Sequence, residues 1–77
     1  MTENKQEQEE YTGPVEDYLK TIYEVERELG AAPTTEIAAR LSVAPASVSG
    51  MVRRLADRGL LRHEPYRGVR LTRAGRT

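Results

Sequence analysis

Apolar positions along the chain recur with helical spacing in three stretches and alternate in two short ones. Val48, Met51, Val52 and Leu55 follow the i, i+3, i+4, i+7 pattern of one buried face, on a helix that opens on Pro45 and closes before Gly59. Upstream, Ile37, Ala38 and Leu41 face inward from a shorter helix, with Thr35 as its expected N-cap and Glu36 in its first turn. Ser42–Ala44 is the turn between the two, so residues 34–60 read as two helices in tight succession. A longer stripe of Val15, Leu19, Ile22, Val25 and Leu29, flanked by Tyr18 and Tyr23, predicts a first helix over about Pro14–Leu29 that stops at Gly30. Pro14 suits a first helical turn, and Glu16 and Asp17 lie at the positive end of the helix dipole.

Past Gly59 the periodicity changes. Leu60–Glu64 alternates as a strand, Pro65-Tyr66-Arg67-Gly68 is turn chemistry, and Val69-Arg70-Leu71 is a second strand. Ala31–Thr34 is a connector able to pair as a minor strand, and Thr72 caps a final helical turn. The polar, Gln/Glu-rich residues 1–13 have no apolar face and are expected to be a disordered acidic tail. The expected architecture is mainly α: three helices, a two-stranded β-hairpin wing and the start of a fourth helix, a winged helix-turn-helix. Residues 14–72 form the domain, and 73–77 begin a linker helix.

Composition narrows the function. Seventy-seven residues build one small core, and the absence of Cys removes disulfides, thiolate metal sites and cysteine nucleophiles. With no Ser/His/acid set and no phosphate-cradling glycine loop, an enzyme is not expected. No apolar run reaches membrane-spanning length and the N-terminus is unlike a signal peptide, so the expected location is cytoplasmic. The zero net charge hides an asymmetry. Residues 1–29 carry nine acids and three bases (−6), whereas residues 30–77 carry three acids and nine arginines (+6). Arginine forks onto phosphates and guanine edges, so the C-terminal part is expected to bind an anion.

The face of the third helix opposite its apolar stripe carries Ala46, Ser47, Ser49, Gly50, Arg53 and Arg54. Small and hydroxylated residues at the start, with guanidiniums one turn later, suit insertion into a DNA major groove. Ala44 is a poor N-cap before Pro45, leaving N–H groups that a phosphate can use. Gly50 costs up to about 1 kcal/mol in a helix interior relative to Ala, which points to close approach by a partner. Tyr66 and Arg67 at the wing tip suit a minor-groove or backbone contact. The alternative is a winged-helix protein-interaction module that uses the apolar side of the hairpin and does not bind DNA.

The stretches VEDYLKTIYEVERE, TTEIAARLSVAPASVSGMVRRLADRGLL and PYRGVRLTRAGR resemble the N-terminal domain of the DtxR/MntR family of metal-dependent transcriptional repressors. The resemblance covers residues 14–76, and the wing is closer to the manganese-responsive branch. It implies a homodimer that takes Mn(II) or Fe(II) and grips palindromic double-stranded operator DNA to control metal-homeostasis genes. Ala46, Ser47, Ser49 and Gly50 would lie nearest the bases, with Ala44, Pro45 and Ala46 against thymine methyls. Arg53, Arg54, Arg67, Thr34 and Thr35 would hold phosphates. Gly50 stands where iron-responsive relatives have glutamine, so one base-specific hydrogen bond is absent. On the metal side the resemblance implies one ligand, Asp17. Lys20 replaces a second carboxylate used by some manganese sensors, the other ligands lie beyond Thr77, and His63 has no metal role. This chain alone is therefore expected to hold no metal stably and to be a monomer or weak dimer.

Overall fold

The computed structural model of the chain describes residues 2–76, with side chains from Val15 to Arg76. In order, the elements are α1 (Thr2–Leu29), α2 (Thr34–Leu41), α3 (Pro45–Asp57), β1 (Leu61–Glu64), β2 (Gly68–Leu71) and α4 (Arg73–Arg76). This is a winged helix-turn-helix. The backbone is helical from Thr2 rather than from Pro14, through a run of mostly straight-chain Glu, Gln and Lys that favour helix. The expectation of a disordered tail at residues 1–13 falls outside the described side chains.

Helix α1 supplies one wall of the core through Tyr18, Ile22 and Val25, with Val15 and Leu19 packed at its edge. Two expectations are corrected. Tyr18 is buried rather than flanking, and Leu29 is 54% exposed rather than part of the stripe. The chain leaves α1 at Gly30 (φ +90), and the next two residues, Ala31 and Ala32, enter the interior where Leu29 was expected.

Helix α2 begins two residues earlier than expected. Its N-cap is Pro33, in extended conformation, so Thr35 is a helical residue and caps nothing. Proline's fixed φ suits that position, and its carbonyl accepts the N–H groups of Glu36 and Ile37, both at 3.1 Å. Ser42 closes α2 in the left-handed region (φ 57), while the N–H of Val43 reaches back to the Ala38 carbonyl at 3.1 Å. That tight closure points α3 away from α2. Val48, Val52 and Leu55 of α3 are fully enclosed, with Met51 at their margin.

The hairpin pairs Leu61 with Leu71, Arg62 with Arg70, His63 with Val69 and Glu64 with Gly68. Its base is apolar and buried through Leu61, Val69 and Leu71; its tip is fully exposed. Of the connector expected to pair as a minor strand, Ala32 alone does so, in a single bridge to Val69 with N–H···O distances of 2.8 and 2.9 Å in the two directions. Gly68 (φ +122) makes that crossing possible, because a β-carbon there would collide with the Ala32 carbonyl. Thr72 caps α4 through its hydroxyl, which accepts the Gly75 N–H at 3.2 Å.

One buried charge ties the fold together. Glu26 is 7% exposed, accepts the Leu71 N–H at 2.9 Å, and pairs with the guanidiniums of Arg70 and Arg76. Burial pushes its carboxyl upward, but the Leu71 N–H, Arg76 and Arg70 together outweigh that and hold it below its ordinary range. Helix α1 is thereby fastened to β2 and α4.

Candidate nucleic-acid interface

Ala46, Ser47, Ser49, Gly50, Arg53 and Arg54 are all exposed, on the side of α3 away from Val48, Val52 and Leu55. The helical phase expected from sequence therefore separates core from surface residue by residue. A methyl group built at Gly50 would meet open space, so nothing within the fold requires glycine at that position. Ala44 is the N-cap of α3 and Pro45 its first residue, and no side chain caps the helix. The start of α2 is uncapped in the same way, with Thr34 half-buried and Thr35 exposed in its first turn. The N–H groups left over for an anion are those of Thr34 and Thr35 in α2 and of Ala46 in α3, since Pro45 has none and the next N–H groups bond the Pro33 and Ala44 carbonyls.

The arginines divide into two sets. Arg40 bonds Glu28 at 2.6 Å and Glu36 at 3.0 Å, holding α2 to α1. These hydrogen bonds, with Glu28 the larger influence, raise Arg40 above its ordinary range, and Arg40 in turn lowers Glu28. Arg62 bonds Glu64 at 3.3 Å, and Arg70 and Arg76 share Glu26. Among the described residues, Arg27, Arg53, Arg54, Arg58, Arg67 and Arg73 make no ion pair, Arg27 lying over the Tyr23 ring and Arg67 bonding a carbonyl. Composition could not make this division, because it rests on which arginines lie opposite acids from other elements.

At the wing tip Tyr66 is entirely exposed and adopts φ 67, a left-handed conformation unusual for a residue with a β-carbon. Arg67 does not extend outward. Its guanidinium donates to the Leu29 carbonyl at 3.4 Å, against the end of α1. The contact is long and exposed, so it adds little to stability.

Asp17 is exposed on α1, as is Lys20 one turn on, and His63 is exposed on β1. Among the described residues no three His, Asp or Glu side chains gather in a way that could hold a metal ion. A single exposed carboxylate is not a divalent-cation site, and the residues present do not by themselves fit one. No described helix is long and apolar enough to cross a membrane.

Comparison with known proteins gives a coherent picture. Residues 10–69 match the family model described as iron dependent repressor, N-terminal DNA binding domain. The chain is 43% identical over 61 residues to the transcriptional regulator MntR of Escherichia coli, covering 79% of this chain and 39% of that protein. It is 45% identical over 65 residues to the HTH-type transcriptional regulator MntR of Geobacillus kaustophilus, covering 84% of this chain and 46% of that protein. With the regulator of the same name from Shouchella clausii, identity is 44% over 64 residues, or 83% of this chain and 45% of that protein. The chain thus spans less than half the length of the curated relatives it matches.

Proposed function

We infer the function from one premise: the chain belongs to the iron dependent repressor family, whose N-terminal DNA binding domain it matches over residues 10–69. On that premise it is the DNA-binding domain of a metal-dependent transcriptional regulator, and α3 is the helix that enters the major groove. The observation that carries this reading is the exposed face of α3, where small and hydroxylated residues precede two arginines that no described acid neutralises. Ala44, Pro45 and Ala46 offer apolar contact to thymine methyls, and Ser47 and Ser49 offer hydroxyls to base edges or phosphates. Arg53 and Arg54 hold phosphates, as do the uncapped starts of α2, with Thr34 and Thr35, and α3. Arg67 joins them by leaving the Leu29 carbonyl.

In this reading the whole protein is a homodimer that binds Mn(II) or Fe(II) and represses metal-homeostasis genes from a palindromic operator. Asp17 is one metal ligand, completed by residues outside this chain in a protein of its relatives' length. The chain alone is a monomer or weak dimer, with weak DNA affinity because it has only one reading head.

The test is a salt titration by fluorescence anisotropy, using a promoter fragment with an inverted repeat, a scrambled duplex, and either Mn(II) or chelator. Binding should fall steeply with salt, and Arg53→Ala and Arg54→Ala should each flatten the log–log slope by about 0.9. Mn(II) should have no effect on this chain. No binding to either duplex at low salt would overturn the assignment in favour of a protein-interaction module.

A further inference from the structure

Of the six described arginines without an acidic partner, the proposed function uses Arg53, Arg54 and Arg67, Arg27 lies over the Tyr23 ring, and Arg58 and Arg73 are left unexplained. Both are exposed. The Arg58 N–H bonds the Arg54 carbonyl at 3.1 Å, an i to i−4 bond that places Arg58 one turn beyond Arg54 on the same side of α3. The Thr72 hydroxyl donates to the Gly59 carbonyl at 2.6 Å, and the Thr72 N–H to the Leu60 carbonyl at 3.0 Å. These two bonds hold the end of α3 against the start of α4, so Arg58 and Arg73 flank one crossing of the chain. Asp57, the acid next to Arg58 in sequence, makes no ion pair with any described residue and lies about 100° around the helix from it.

We propose that Arg54, Arg58 and Arg73 form a continuous cationic strip that contacts DNA backbone phosphates beyond the base pairs read by α3, extending the footprint toward α4. The proposal rests on the DNA-binding reading above. Like charges gathered without counter-charges raise the free energy of the free domain, and a line of phosphates is the partner that reverses this. Elsewhere in residues 30–77 the fold supplies acids to Arg40, Arg62, Arg70 and Arg76, whereas Arg53, beside the strip, and Arg67, on the Leu29 carbonyl, have none.

The experiment compares salt slopes on one 30-base-pair duplex for the wild-type chain, Arg58→Ala/Arg73→Ala, Arg58→Lys/Arg73→Lys and Arg62→Ala. Loss of two phosphate contacts should flatten the slope by about 1.8, so the alanine pair loses about 12-fold less affinity than wild type between 50 and 200 mM salt. The lysine pair should keep the wild-type slope, and Arg62→Ala should also keep it because Glu64 already neutralises that side chain. All variants should melt as wild type does, since the exposed residues exchanged carry no core packing. Wild-type binding with an unchanged slope in the alanine pair would overturn the strip while leaving the DNA reading intact. An equal change in Arg62→Ala would also overturn it, because net charge rather than contact would then be responsible. Absence of wild-type binding would overturn both readings.

Discussion

Replacing Glu26 tests how this small domain keeps its wing and fourth helix in place. Glu26→Ala removes the acceptor of the Leu71 N–H and the partner of two guanidiniums, while the Arg70 Nε already lacks a partner in the interior. Leaving a buried N–H unsatisfied costs about 1–3 kcal/mol. The guanidiniums add less than in a fully buried pair, because the Arg70 and Arg76 side chains are 35% and 38% exposed and regain water. Removing the burial cost of the carboxylate offsets part of the loss, and the net destabilisation is about 2–3 kcal/mol. In a domain of this size that lowers Tm by about 10–20 °C. Glu26→Gln keeps an acceptor for the Leu71 N–H and loses the charge, so it should cost about 1 kcal/mol. Circular dichroism melts at neutral pH would establish the order wild type, Gln, Ala. A loss below about 0.5 kcal/mol for Glu26→Ala, or equal losses for the two variants, would refute the account.

The same group makes the stability pH-dependent. Glu26 titrates below its ordinary value of 4.5 in the folded chain, so the folded state binds its proton less readily than the unfolded state does. Its contribution is complete above that ordinary value and is lost as pH falls through the depressed one. The gap between wild type and Glu26→Gln should therefore narrow on acidification below about pH 4.5. A gap independent of pH down to full protonation would contradict the charge-based part of the effect.

Three other substitutions probe separate parts of the molecule. Gly50→Ala should stabilise the free chain by up to about 1 kcal/mol, since the added methyl meets open space, yet weaken DNA binding if α3 approaches bases there; thermal melts and anisotropy read the opposite signs. Gly68→Ala should cost about 2 kcal/mol or more in a urea melt, because the β-carbon meets the Ala32 carbonyl at a φ that L-residues rarely adopt. Leu55→Ala, at 1% exposure, should cost about 2–4 kcal/mol, and a melt close to wild type would show that the core face of α3 is wrongly assigned.

Features legible in the sequence are those decided within about a dozen residues. Pro45, the run Val48-Met51-Val52-Leu55 and Gly59 mark the limits and phase of α3 because helix periodicity and its stop signals are local. The wing turn is equally local: Pro65 and Gly68 have the backbone preferences the hairpin needs, whereas Tyr66, at φ 67, is held against its own. The start of α2 lies two residues before the one its side chains suggest, because Thr35 has the chemistry of a side-chain cap while Pro33 serves through its own geometry. Leu29 was misplaced because apolar periodicity does not record where the chain leaves the core.

The sequence by itself determined the winged helix-turn-helix, the exposed face of α3 and the motifs that mark the family, because each depends on order along the chain. Tertiary structure alone decided the fate of individual charges. Glu26 sits among the charged residues of an acidic helix, and only folding brings it to Arg70 and Arg76, 44 and 50 residues away. Folding also turns Arg67 back onto α1, occupies Arg40 and Arg62, and leaves Arg53, Arg54, Arg58 and Arg73 without partners among the described residues. The physical reason is that an ion pair depends on distance and burial, which no local pattern encodes, whereas the buried side of a helix follows from its period.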